Sequence, residues 1–537
     1  FGSIHLPGEH SAHVLARRRL VFDELLRLQV LLVSKKRALA LGARGIAHDP
    51  SGRRLLEGFL ASLPFELTAA QSRAIGEIEV DLYSKVPMNR LLQGDVGSGK
   101  TVVALASLLV GIGGGHQGAL MVPTEVLAEQ HYLSARRLLA GIEVGDPGRL
   151  SGLRPLGIAL LTSRTPGSER QRILAGLREG RIDLVCGTHA LLTDDVEFAS
   201  LGVVVVDEQH RFGVEQRARL SEKAGHDPDL LVMTATPIPR SAAMTVYGDL
   251  DHTVLDELPK GRTPVRTRWL SFGREPAVWK AVRSALDAGR QAYVVCALVR
   301  GAEAEEDELD KDDGDDDTCD AAGRLIEAAA SQRRQARSAT EEHGRLQAGE
   351  LEGYRVGLLH GQLGSKEKER VMAAFRQGEL QVLVATTVVE VGVDVANATV
   401  MVIEDADRFG IAQLHQLRGR VGRGRDASLC VLLAEPPTPE AERRVTALVG
   451  STNGFELAEI DLELRGGGTV LGARQKGRSD LKLVRLSTDR ELVEAARKVA
   501  IEVVGADPTM ASPEHGLLRD EVDLFVSDEE RQYLFRG

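Results

Sequence analysis

From Leu63 onward the chain alternates short apolar runs with helix-length amphipathic stretches. The first series of runs is Ala119–Val122, Ile158–Leu161, Leu184–Cys186, Val203–Val206 and Leu230–Met233. Each is bounded by turn-forming or charged residues and is apolar throughout rather than alternating. Such strands are buried on both faces, the signature of a parallel sheet covered by helices. A second series follows Pro264: Ala292–Ala297, Val356–Leu359, Val382–Val384, Thr399–Ile403 and Leu429–Leu432. The pattern therefore predicts an α/β protein with two tandem parallel-sheet domains, joined near Leu258–Pro264, where proline and glycine mark a linker. Ahead of both, Leu20, Val21, Leu25, Leu28 and Leu32 recur at helical spacing and predict a packing helix from about Ser11 to Ala40.

Composition adds bounds. A length of 537 residues corresponds to about three domains. The net charge is −11, from 67 basic and 78 acidic residues, but Glu303–Asp320 alone holds 12 acids and one lysine. The rest of the chain balances, 66 against 66, so the acidity does not exclude a DNA partner elsewhere on the surface. The acidic run reads as a solvated, disordered segment, and Arg324–Leu351 after it as an exposed helix. Aromatics at 4% argue against an extensive stacking platform for single strands. Cys186, Cys296, Cys319 and Cys430 are too dispersed for a disulfide framework or a zinc knuckle and favour a reducing, intracellular setting. The apolar stretches Val102–Ile112 and Leu28–Val33 fall short of the roughly 20 residues that cross a bilayer.

Three segments carry chemistry. Leu91–Gln93 runs into Gly94-Asp-Val-Gly-Ser-Gly-Lys100-Thr101 and then a helix-forming run, the pattern of a phosphate-cradling P-loop. Its backbone N–H groups (Gly94, Asp95, Val96, Gly97, Ser98, Gly99) converge on phosphate oxygens at a helix N-terminus. Lys100 would reach the β- and γ-phosphates, and the Thr101 hydroxyl would ligate Mg²⁺. Val203-Val-Val-Val-Asp207-Glu208-Gln-His210 places two carboxylates at a strand's C-terminal edge, where open α/β sheets bind ligands. Asp207 would hold Mg²⁺ through water, and Glu208 would orient or deprotonate the attacking water. Gln416-Leu-Arg-Gly-Arg420-Val-Gly-Arg423 begins on a predicted helix. Spacing of i, i+3 predicts that Arg420 and Arg423 share one helical face, available to charge on a γ-phosphate.

Taken in order, Gly94–Thr101, Asp207–His210, Thr234-Ala-Thr-Pro-Ile-Pro-Arg240 and Gln416–Arg423 resemble a superfamily-two helicase. The wording is most similar to the RecG family, bacterial ATP-dependent DNA helicases of stalled forks and branched DNA. Asp207-Glu-Gln-His-Arg-Phe-Gly-Val-Glu-Gln-Arg217, Thr387-Val-Val-Glu-Val-Gly-Val-Asp394 and the tail Asp461-Leu-Glu-Leu-Arg465 with Leu471-Gly-Ala-Arg474-Gln475 extend the resemblance. It implies two RecA-like domains with ATP and Mg²⁺ in the cleft between them. Phe65 and Gln71 would then recognise adenine, with Gly392, Asp394 and Gln416 contacting nucleotide from the second domain. Thr124, Thr188, His189, Thr386 and Thr387 would touch the DNA backbone, although for each threonine the capping of a helix is an equal reading. Arg465 and Arg474 would belong to a translocation motif that RecG shares with the transcription-repair coupling factor.

The expected layout is residues 1–60 as a helical linker, 61–262 as ATP-binding domain, 263–435 as second helicase domain with an insertion over 302–350, and 436–537 as translocation region. Departures from the family pattern stand at Leu161-Thr-Ser-Arg164, at Ala297 and at Arg465-Gly-Gly-Gly-Thr469. The chain opens on Phe1 rather than Met, and the family's N-terminal wedge domain has no counterpart in it. The expectation is a fragment that hydrolyses ATP yet handles forks poorly. Expected partners are double-stranded and branched DNA and single-stranded-DNA-binding protein, with no membrane, for a monomer in the bacterial cytoplasm at the nucleoid. The alternatives are a duplex translocase like the coupling factor, or a nucleotide-binding scaffold without turnover.

Overall fold

Continuous apolar runs become strands of a parallel sheet, and the central ones present side chains to helices on both faces. The computed structural model describes residues 10–42, 44–146, 152–207, 223, 225–236, 239, 250–259, 263–297, 337–390, 395–424, 426–465, 483–485 and 488–525. Two compact units emerge, one formed by Phe1–Gly261 with Asn453–Gly537, the other by Arg262–Thr452.

In the first unit the strands are β1 (Asn89–Gly94), β2 (Gln117–Met121), β3 (Glu143–Gly145), β4 (Leu153–Pro155), β5 (Ile158–Leu161), β6 (Leu184–Gly187), β7 (Leu201–Asp207), β8 (Asp229–Thr234) and β9 (Asp251–Leu255). Seven of them form a parallel sheet in the order β5-β6-β2-β7-β8-β1-β9. β3 and β4 make a separate antiparallel pair. Helix Lys100–Gly113 is apolar on every side, and Val102 through Ile112 are all buried, as befits a helix at the centre of a fold.

In the second unit β10 (Arg266–Leu270), β11 (Gln291–Val295), β12 (Val356–Leu359), β13 (Val382–Ala385), β14 (Ala398–Ile403) and β15 (Leu429–Leu433) form a parallel sheet in the order β10-β15-β14-β11-β13-β12. The ten strands expected from the two apolar series are all present. The pattern missed β3 and β4, which are three residues each, and β9 and β10, which are edge strands. An edge strand has one unpaired side and need not be apolar: β9 reads Asp-His-Thr-Val-Leu, and β10, Arg-Thr-Arg-Trp-Leu, has no fully buried residue.

One expectation needs correction. Of Arg324–Leu351, expected as an exposed helix, residues 324–336 lie outside the described residues, and the rest holds the helix Ala339–Ala348, capped by Ser338 and not exposed throughout. Ala339, Leu346 and Leu351 are fully buried and belong to the second unit's core with Trp279 and Val294. Polar composition hid two buried positions seven residues apart on the helix, Ala339 and Leu346, and Leu351 just beyond it. The first helix, His10–Gly42, agrees with the expected packing helix, and its partners lie at the far end of the chain. Val21 and Leu25 pack with Leu462, Val484, Val493 and Ala496, while Val30 and Leu31 pack with Ala500, Val504, Met510 and Val522. Arg17 pairs with Asp489 at 3.0 Å, and the Glu24 carboxylate accepts from the N–H groups of Leu483 and Val484. The helices Arg490–Ala506 and Gly516–Phe525 thus join the first unit rather than stand apart.

Candidate active site

β1 delivers Gly94 to the carboxyl edge of the first sheet, and helix Lys100–Gly113 begins six residues later. Between them Gly97 and Gly99 adopt φ of 81° and 84°, a conformation a side chain disfavours. At Gly99 a Cβ would also stand 2.1 Å from Gln71 Nε2, so the Gln71 side chain would have to move aside. Gln71 closes a capping box with Thr68, its Oε1 accepting from Thr68 N at 2.9 Å. Its Nε2 donates to Ser98 O at 2.9 Å. In this structure Gln71 therefore braces the loop. Lys100 Nζ donates to Gly94 O at 2.7 Å and Asp95 O at 3.0 Å, which holds the ammonium over the loop. Phe65, three residues before the cap, is 46% exposed. A glycine cradle with a lysine over it, opening a helix, fits a polyphosphate.

Asp207 ends β7, and β8 lies between β7 and β1, so Asp207 and the P-loop are about 10 Å apart by strand spacing. One Asp207 oxygen, Oδ2, accepts from His131 Nε2 at 3.0 Å. His131 is 8% exposed and sits on helix Glu125–Leu138. Sequence reasoning missed this histidine, which carries no motif of its own. Thr234 ends the intervening strand, buried, with its Oγ1 accepting from Thr236 N at 3.1 Å. Asp207 and Thr101 offer a carboxylate and a hydroxyl, the oxygen donors that Mg²⁺ takes. Glu208 lies outside the described residues.

The threonines divide. Thr124 caps helix Glu125–Leu138, accepting from Leu127 N at 3.4 Å, and Thr188 caps the turn His189–Leu192, accepting from Ala190 N at 3.5 Å. Capping, the alternative weighed for them, is thus a role they perform. His189 is exposed, Thr386 is buried at the end of β13, and Thr387 opens a short 3-10 turn. Arg465 closes helix Gly454–Arg465. Gly392, Asp394 and Arg474 lie outside the described residues.

In the second unit the arginine motif differs from expectation. Helix Ile411–Arg418 stops before Arg420, with Gly419 as its C-cap and Gly422 at φ 75°. Arg420 and Arg423 therefore do not share a helical face; glycine ends the helix between the motif's arginines. Arg423 Nε instead donates to Gly419 O at 3.1 Å. Nor do all the motif's arginines face outward. Arg418 is 4% exposed, and its guanidinium donates to Leu448 O at 2.8 Å and Ser451 O at 2.7 Å. Its Nη2 also donates to His415 Nδ1 at 2.7 Å. Gln416, on the same helix, is 7% exposed.

No helix among the described residues is long and apolar enough to cross a membrane. Cys186, Cys296 and Cys430 are free and buried, and burial pushes the Cys186 thiol up to about 12.

Residues 68–245 match the DEAD/DEAH box helicase family, 326–425 the helicase conserved C-terminal domain, and 451–525 the C-terminal part of domain 3 of ATP-dependent DNA helicase RecG. The chain is 44% identical over 520 residues to ATP-dependent DNA helicase RecG of Bacillus subtilis (strain 168), covering 97% of this chain and 70% of that protein. It is 43% identical to the protein of the same name from Synechocystis, covering 94% of this chain and 56% of that one. Among solved structures, RecG bound to a three-way DNA junction superposes with a TM-score of 0.69 at 40% identity, covering 92% of this chain and 59% of that one.

Proposed function

The chain belongs to the RecG family of ATP-dependent DNA helicases, and on that premise we propose that it couples ATP hydrolysis to movement along branched duplex DNA, in recombination and repair at stalled forks and Holliday junctions. The observation that carries the reading is the placement of the P-loop and Asp207 at the carboxyl ends of β1 and β7, two strands apart in one parallel sheet. Open sheets bind ligands at that edge.

Lys100 would leave the carbonyls of Gly94 and Asp95 for the β- and γ-phosphates. Thr101 and Asp207 would hold Mg²⁺, which when bound neutralises phosphate charge. Glu208 would orient the attacking water, and Arg420 and Arg423 would stabilise the charge that develops on the γ-phosphate. Phe65 would stack on the base, with Gln71 beside it, and Gln416, Gly392 and Asp394 would complete the nucleotide contacts. On DNA, His189, Thr386, Thr387, Thr124 and Thr188 would contact the backbone, and Arg465 and Arg474 would serve translocation. Phosphate contacts of this kind follow DNA structure rather than base sequence. On the family resemblance alone the proposal extends to a monomer in the bacterial cytoplasm at the nucleoid, with single-stranded-DNA-binding protein as a further partner.

ATPase measurement with single-stranded, duplex and three-way-junction DNA tests it. Strongest stimulation by the junction is the expected result. Stimulation by plain duplex alone would favour a duplex translocase, and ATP binding without turnover would leave only a nucleotide-binding scaffold.

A further inference from the structure

Asp95, the second residue of the P-loop, touches two structures at once. Its backbone carbonyl accepts from Lys100 Nζ at 3.0 Å. Its Oδ1 accepts from Val96 N at 2.6 Å, and its Oδ2 accepts from Gly454 N at 3.2 Å. Gly454 is the first residue of helix Gly454–Arg465, 359 residues away in sequence. That N–H is one of the donors a helix start leaves without an intrahelical acceptor, and a carboxylate there complements the helix dipole. The neighbouring Phe455 N is taken by Asn453 Oδ1 at 2.9 Å, so a local cap and a distant carboxylate divide the helix start between them.

The helix is 12 residues long, about 18 Å. Its far half is seated, since Leu462 is 3% exposed in the cluster with Val21, Leu25, Val493 and Ala496. A rod held at both ends therefore runs from the P-loop to Arg465, where the translocation motif begins in sequence. We propose that Asp95 is a positioning residue that passes the nucleotide state of the P-loop to helix Gly454–Arg465, and through it to that motif. The inference rests on the functional reading above. When Lys100 turns to a phosphate, the Asp95 carbonyl loses its ammonium donor, the peptide resets, and the Oδ2 contact to Gly454 changes with it.

Hydrogen exchange of segment 454–465, measured on the full chain with and without a non-hydrolysable ATP analogue, tests this. The wild-type segment changes its exchange on nucleotide binding. Asp95→Ala, read at saturating nucleotide, loses at least half of that change. Gly454→Pro removes the N–H from the other side at a helix position that accepts proline, and reproduces the loss. Thermal melting selects whichever variant is folded. On duplex DNA the same variant consumes at least threefold more ATP per base pair moved, a readout that simple destabilisation would not shift. Full-sized nucleotide-dependent exchange in a folded variant overturns the coupling, as does an unresponsive wild-type segment with nucleotide demonstrably bound. Failure of the wild type to bind nucleotide overturns the P-loop assignment itself, and the coupling with it.

Discussion

His131 Nε2 stands 3.0 Å from Asp207 Oδ2, across 76 residues of sequence. A carboxylate can only accept, so the ring donates and fixes which way the carboxylate faces. Outer partners of this kind orient metal-binding carboxylates, and losing one costs about 10–100-fold in metal affinity or activity. His131→Ala is expected to raise the Mg²⁺ concentration for half-maximal ATPase by about 10-fold while metal-free nucleotide binding is retained. His131→Gln, which keeps a donor, should recover part of the loss. Titration of ATPase against Mg²⁺ checks this.

Arg418 and Arg420 sit two residues apart with different environments. Arg418→Ala leaves the carbonyls of Leu448 and Ser451 without the donor it supplies, at about 1–3 kcal/mol for each buried group left unpaired. Its main effect should be a lower unfolding temperature. Arg420→Ala should leave the melting curve in place and reduce turnover on the order of 10³-fold. Melting and ATPase measured on both variants separate the two roles, and equal loss of stability would refute the distinction.

Glu208→Gln should retain nucleotide binding while turnover falls by orders of magnitude, because only water activation is removed. Lys100→Ala should lose both. Fluorescent-nucleotide titration beside an ATPase assay checks the pair, and near-normal hydrolysis by Glu208→Gln would remove the role assigned to it.

Glu404 makes the second unit sensitive to pH. Burial, reinforced by Glu342 and opposed by Arg337, pushes its carboxyl from the ordinary 4.5 up to about 8. The folded state therefore holds this proton more tightly than the unfolded state does. The stabilising contribution is complete below pH 4.5 and is lost as pH rises through about 8. Glu404→Gln should raise the melting temperature at pH 9, by about 2–4 °C for each kcal/mol recovered. The difference from wild type should vanish near pH 5, and a pH series of melting curves checks it.

Chemistry that is written locally was readable from the order of amino acids alone. Central strands of a parallel sheet are apolar on both faces, so β2, β6–β8, β11 and β13–β15 were legible as runs, and the edge strands β5 and β12 were legible because they are apolar too. The P-loop was legible because its turn admits only glycine at Gly99, and Asp207 because it ends such a run. Packing of the elements against one another settled which distant groups complete the site. It set His131 against Asp207, Gln71 under the P-loop, Asp95 against Gly454 and the first helix against the last two. It also buried Arg418 beside arginines of the same motif that are only partly buried. Periodicity reports a residue's own element and the face it buries; a contact between elements depends on how sheets and helices stack, and leaves no trace in local spacing.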